Sequence, residues 1–222
     1  MKSDNSCQRC GTCCLQGGPA LHAADMELLR AGHLQLDDLI TIRRGELAFQ
    51  PMSVKPEIVA HEFLKLKGKN GTWCCSSYDE DAKGCLRYEH RPQACRILDC
   101  KNADPLLALV GKDLLTRFDC IDQDSPLLSM VRQHEEACPC PDLLMLGRAM
   151  EHGGIDPEHL AELEKRVNED LAYRGRVTAM TGLTLAQELF YFGRPLFQLL
   201  QPLGINAVNT SEGVCLTQKA AG

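Results

Sequence analysis

Apolar positions along the chain fall into two regimes. After a turn written Gly17-Gly18-Pro19, they recur at helical spacing from Leu21 to Ala31, where Gly32 closes the run. The next apolar stretch, Leu39 to Phe49, is rich in aliphatic and β-branched residues around a central glycine, and predicts a hairpin turning near Gly45. A second hairpin is predicted to run out from Glu62 to Lys67, turn through Gly68-Lys69-Asn70-Gly71, and return from Thr72 to Tyr78. Beyond Cys100 the period lengthens. Ser125-Pro126 reads as a cap and first-turn proline for a helix reaching Glu136, and Cys140-Pro141-Asp142 opens another to Glu151. Asp156-Pro157-Glu158 starts a long charged amphipathic helix to about Tyr173. An apolar helix from Leu183 to Leu200 is interrupted at Gly193-Arg194-Pro195, and short strands around Val208 and Val214 to Leu216 follow. The expected fold is α+β. Residues 1–104 form a small irregular cysteine-rich lobe with short hairpins, and residues 105–222 a mainly helical lobe sharing the same core.

Composition narrows the function. The chain has 222 residues and a net charge of −6 with no long basic block, which argues against a protein that tracks nucleic-acid phosphates. No apolar run approaches the roughly 18 residues needed to cross a bilayer. The polar stretch from Met1 to Cys7 does not read as a secretory signal, so the expectation is a cytoplasmic chain without membrane contact. Thirteen cysteines in such a chain are too many for incidental core thiols. Disulfide frameworks belong to short secreted chains, and an odd count in a longer one favours thiolate ligation of metal.

The cysteines cluster accordingly. Cys7-Gln8-Arg9-Cys10-Gly11-Thr12-Cys13-Cys14 places three of them at i, i+3 and i+6, the run used in ferredoxin-type iron–sulfur ligation. Its first pair would equally serve half a zinc site, and the glycine permits the tight backbone of such a knuckle. Adjacent Cys13 and Cys14 are expected to diverge, one sulfur going to each of two centres or both to a larger cluster. The second group comprises Cys74, Cys75, Cys85, Cys95 and Cys100. Arg91-Pro92 predicts a bend and helix start before Cys95. That helix must end before Cys100, because residues five apart stand about 140° apart around a helix.

These residues resemble the CxxCxxCC family of zinc- or iron-chelating domains. The family pattern pairs an N-terminal C-x2-C-G-x-C-C with a later cysteine, tyrosine, Arg-Pro, Cys-Arg and cysteine. Here it is supplied by Cys7, Cys10, Gly11, Cys13 and Cys14, then Cys85, Tyr88, Arg91, Pro92, Cys95, Arg96 and Cys100. Upstream of Cys85 the match falls on Cys75, with Cys74 as the departure. The resemblance implies metal binding, often iron–sulfur, with Cys7, Cys10, Cys13, Cys14, Cys75, Cys85, Cys95 and Cys100 as ligands. One relative is a flagellin lysine N-methylase, but no motif in this chain carries an active-site residue over from it.

The expected function is therefore a metal-binding cysteine-cluster protein, iron–sulfur and of [4Fe–4S] type. It would transfer electrons to a protein partner or support a partner enzyme. A structural zinc module and a methyltransferase-like enzyme with a nearby metal are the alternatives. Outside the cluster, Cys138-Pro139-Cys140 could hold a metal, but its single intervening residue and two prolines favour a strained turn with free thiols; Cys120 and Cys215 read as core residues, and His22 as a helix N-terminal residue. Arg87 and Lys101 read as surface charges. The aromatic stretch from Glu188 to Phe197 reads as core packing against the cysteine lobe.

Overall fold

A computed structural model describes residues 7, 9–51, 53–69 and 71–218, in a mixed α+β arrangement of helices and small antiparallel strand pairs. Its first feature is one long ribbon. Strands β1 (Leu39–Ile42) and β2 (Leu47–Phe49) run antiparallel to β3 (Pro56–Ile58) and β4 (Phe63–Leu66). β1 pairs with β4, Leu39 opposite Leu66 and Ile42 opposite Phe63, while β2 pairs with β3, Leu47 opposite Ile58. Both pairs keep the same alignment, and Gly45 N–H donates to the Val59 carbonyl between them (2.9 Å). The expected turn at Gly45 is thus corrected. Gly45 (φ 89°) is a bend within a strand, and the chain reverses between Phe49 and Pro56 instead. A glycine in a left-handed conformation serves a kink in a continuing ribbon as well as a turn, so spacing alone does not separate the two.

β4 pairs with β1 on one edge and with the chain around Ala20 on the other, through the Ala20–Lys65 bridge, so the second expected hairpin does not form as drawn. Gly68 bridges to Cys75, and the Asn70 of the expected turn lies outside the described residues. Gly68 is required there, since a Cβ would lie 1.7 Å from the Thr72 carbonyl oxygen.

Helices α1 (Thr12–Gln16) and α2 (Met26–Arg30) precede the ribbon. The run from Leu21 to Ala31 is a 3-10 turn at Ala23–Asp25 leading into α2, rather than one helix, and His22 stands at its N-terminus. After the ribbon come β5 (Tyr78–Asp79), β6 (Gly84–Cys85), α3 (Gln93–Ile97), α4 (Asp104–Leu107) and α5 (Arg117–Cys120). The rest is α6 (Pro126–Ala137), α7 (Leu143–Glu151), α8 (Pro157–Thr181), α9 (Leu185–Phe192), α10 (Leu196–Leu200) and the hairpin β7 (Ile205–Thr210) with β8 (Gly213–Gln218). The caps read from the sequence are made: Ser125 Oγ accepts from Leu127 N–H, Asp142 from Met145 and Asp156 from His159.

α8 runs eight residues past its expected end at Tyr173. Its inner face continues through Leu163, Val167, Asp170, Arg174 and Val177, all buried. The charged pair on that face hid the apolar period. Arg174 also explains the break between α9 and α10. Its guanidinium donates to the carbonyls of Phe192 (2.9 Å), Gly193 (3.0 Å) and Arg194 (3.2 Å), satisfying acceptors that an interrupted helix exposes.

The main core draws on both halves of the chain. Leu21, Leu64, Leu66, Cys74, Cys75 and Tyr78 pack with Leu115, Val131, Val177, Phe190 and Phe192. A second core lies under α7, α8, α10 and the last hairpin. Phe190 and Phe192 are fully buried, as the core reading of the aromatic stretch requires. Two arginines, Arg43 and Arg117, are also fully buried, and Glu135 on α6 bonds to both. Among the described residues, no helix is long and apolar enough to cross a membrane.

Candidate metal centre

The cysteines sit on short, tightly tied pieces of chain. Gly11, at φ 78°, turns the backbone into α1, whose first turn carries Cys13 and Cys14. Their sulfurs lie 3.9 Å apart. Adjacent helical residues were expected to diverge; here the rotamers bring the two thiols together instead. Arg9 N–H donates to Cys7 Sγ (3.4 Å), and Cys10 Sγ lies 3.3 Å from Thr12 Oγ1. Cys75 is tied to this segment by its own N–H, which donates to the Cys14 carbonyl (2.7 Å).

The remaining three are placed from below. Cys85 lies opposite Tyr78 in the β5–β6 pair, and Tyr78 packs directly beneath Gly11. Cys95 is on α3, which starts after Pro92 as expected. Asp25, fully buried, accepts from Gln93 N–H (2.7 Å) and His22 N–H (2.9 Å), and so pins the start of α3 to the segment before the ribbon. α3 ends at Ile97, leaving Cys100 in the turn closed by Asn102 N–H on the Asp99 carbonyl (3.1 Å).

Mutual electrostatics reflects which thiols lie near one another. Cys14 is pushed far above an ordinary thiol by its bond to Cys13 and by burial, with Cys75 and Cys95 adding to the effect. Burial raises Cys95 strongly, reinforced by Cys75, Cys13 and Cys85 and opposed by Arg91. Burial and the neighbouring Cys85 raise Cys75. Cys100 is raised by burial and then by Cys10, Cys13 and Cys7. The couplings overlap at Cys13: an inner neighbourhood of Cys13, Cys14, Cys75, Cys85 and Cys95, and an outer one of Cys7, Cys10, Cys13 and Cys100. Cys10 and Cys100 are exposed and Cys75 is buried. Cys74 packs in the main core beside Cys75.

An all-thiol donor set of this kind suits iron or zinc and not a hard cation such as magnesium. The polar groups around it are compatible with thiolates: Arg9 N–H already donates to sulfur, and the Arg91 guanidinium favours ionised Cys95. Residues 6–110 match a family model described as CxxCxxCC, putative zinc- or iron-chelating domain. The match supports metal binding by this part of the chain. No curated protein and no solved structure matches the chain.

In the metal-free CxxCxxCC segment, one proton of the vicinal pair should leave early. The bond from Cys14 draws the Cys13 thiol down to about 6, while Cys14 retains its proton. Cys13 should therefore be the fastest thiol to alkylate near neutral pH in metal-free protein, its rate rising through that region. Mass-spectrometric mapping of a short iodoacetamide pulse checks this; preferential labelling of exposed Cys10 with Cys13 unmodified would contradict it.

Three residues that support the CxxCxxCC segment carry no motif of their own. Tyr78 and Asp25 act through packing and backbone bonds across the fold. Arg87, expected to be a surface charge, pairs with Asp38 (2.6 Å) and donates to the His33 carbonyl, joining the segment to the start of β1. Lys101 is exposed, as expected, while Cys120 and Cys215 are half-buried. Away from the segment, His134, Cys138 and Asp170 form a buried trio. His134 and Cys138 stand one helical turn apart, a spacing visible in the sequence, but Asp170 is on another helix.

Proposed function

We propose that Cys7, Cys10, Cys13, Cys14, Cys75, Cys85, Cys95 and Cys100 hold iron–sulfur, of [4Fe–4S] type, and that the protein moves electrons to a protein partner or a partner enzyme. The observation that carries this reading is the run of Cys7, Cys10 and Cys13 at i, i+3 and i+6, the spacing of ferredoxin-type iron–sulfur ligation, on a segment tied to Cys75 by the bond from the Cys75 N–H to the Cys14 carbonyl (2.7 Å). When bound, such a cluster supplies one-electron chemistry, its potential set by charge, hydrogen bonds to sulfur and exposure.

The chain's own residues fit that role. Cys10 and Cys100 bring the outer neighbourhood to the surface. Leu15, Trp73 and Leu86, each exposed and each within or beside the cysteine segments, offer apolar area for a partner beside that outlet. With all eight thiols engaged, no position is left for substrate, and catalysis belongs to the partner.

A structural zinc module is the second reading, favoured by the 3.9 Å between the Cys13 and Cys14 sulfurs, which is the edge of a zinc-thiolate tetrahedron. Anaerobic isolation separates the two. The iron–sulfur reading expects brown protein with iron, acid-labile sulfide and a broad visible charge-transfer band. It also expects Cys10→Ser to lose metal and Cys215→Ser to keep it. Colourless protein with stoichiometric zinc and no sulfide would overturn iron–sulfur in favour of zinc.

A further inference from the structure

We propose a second metal site, for a single zinc ion, formed by His134, Cys138 and Asp170 between α6 and α8. It is independent of which metal the N-terminal thiols hold. His134 and Asp170 are fully buried and Cys138 nearly so, and their three ligand atoms lie within 4.8 Å of one another. Ligand atoms about a tetrahedral zinc are about 3–4 Å apart, so closing the site replaces the His134–Asp170 hydrogen bond with bonds to the ion and draws the sulfur in. Sulfur, imidazole nitrogen and carboxylate oxygen together form a zinc donor set.

The histidine is held in one orientation. His134 Nε2, bonded to Asp170 Oδ1 at 2.6 Å, is the nitrogen that shares the site with the carboxylate, while Nδ1 lies on the other side of the ring. Phe192 and Tyr173 pack on the ring at centroid distances of 4.8 and 5.4 Å and fix its plane.

The sulfur is equally constrained. Cys138 closes α6, its N–H donating to the His134 carbonyl (2.8 Å), and its own carbonyl accepts from buried Arg43 (2.7 Å). The next carbonyl, of Pro139, accepts from Arg166 on α8 (2.9 Å), which holds this turn against that helix. Binding zinc exchanges the thiol proton of Cys138, released to water, for a zinc–sulfur bond.

Charge is the main opposing consideration, because Arg43 and Arg174 lie nearby. Thiolate and carboxylate together neutralise a divalent ion. Arg43 already has Glu135 as its counterion. Arg174 donates to Asp170 Oδ1 (2.9 Å) but also to three backbone carbonyls, so it stays anchored if Asp170 turns partly towards a metal. Asp170 Oδ2, which accepts from Leu196 N–H (3.0 Å), keeps the carboxylate in place.

The test is a zinc count on the full chain. Anaerobically isolated protein is equilibrated with excess zinc, desalted, and assayed for zinc, iron and sulfide, beside Cys138→Ser and His134→Gln. Each variant should retain one zinc fewer than the natural protein, with the N-terminal metal content unchanged. Equal zinc in the natural protein and Cys138→Ser overturns the proposal. Should both variants fail to fold, the natural protein decides. A zinc-dependent rise in Tm reversed by chelator, with the N-terminal metal intact, is expected from an ion bridging α6 and α8. No change in Tm overturns it.

Discussion

Replacing Gly11 with alanine should unfold the cysteine-bearing lobe and strip its metal. Gly11 sits at φ 78°, where a residue with a Cβ is strained by about 1–2 kcal/mol. The new Cβ would also lie 2.2 Å from Tyr78 Oη and 2.5 Å from the ring carbon bearing it. Tyr78 is buried in the main core and cannot swing aside freely, so overpacking adds about 1–3 kcal/mol. Either effect moves α1 relative to the Cys75 and Cys85 segments, which are registered on it. Denaturant titration of metal-free protein should show a loss of about 2–5 kcal/mol, and the purified variant should carry little metal. Full metal content with an unchanged midpoint would mean that Tyr78 does not underlie this turn.

Glu135→Gln should be the most damaging change in the helical half. Arg43 and Arg117 are fully buried, and Glu135 serves both: two bonds from Arg43 at 3.0 and 3.1 Å, and one from Arg117. Removing one partner of a buried pair costs about 3–5 kcal/mol, because the remaining charge stays buried and uncompensated. The lower end applies here, since Arg117 keeps Glu62 (3.0 Å) and the Glu135 side chain is 32% exposed. The loss should depend on pH. Burial alone would raise the Glu135 carboxyl, but Arg43 and Arg117 hold it below its ordinary value. A depressed carboxyl contributes its stability above the unfolded value, about 4.3 for glutamate, and loses it as the pH falls through the folded value. The urea-midpoint gap between variant and natural protein should therefore be widest near neutrality and shrink on acidification. A gap independent of pH would locate the loss in packing.

Helix starts were legible because they are local. Ser125, Asp142 and Asp156 cap the helices that their positions announce, and Pro92 starts the one carrying Cys95. Strand partners were not. β1 has two candidates for its antiparallel mate, one at the glycine four residues on and one beyond a longer loop, and both satisfy the same alternation. Burial of all four β1 residues went with the distant mate. α8 was read short because Asp170 and Arg174 occupy inward positions, where a charge is tolerated only with a partner on another element.

The same division governs the chemistry. The sequence by itself determined that this chain is α+β, that its cysteines fall in two groups, and that the first follows a metal-knuckle spacing, because these depend on residues within a turn or two of one another. Only the tertiary structure decided that Tyr78 underlies Gly11, that Asp25 pins the helix of Cys95, and that His134 and Cys138 meet Asp170. Each of those contacts joins segments 32 or more residues apart. Loop-closure entropy grows only slowly with such separation, so many distant pairings cost nearly the same, and packing of the whole core selects among them.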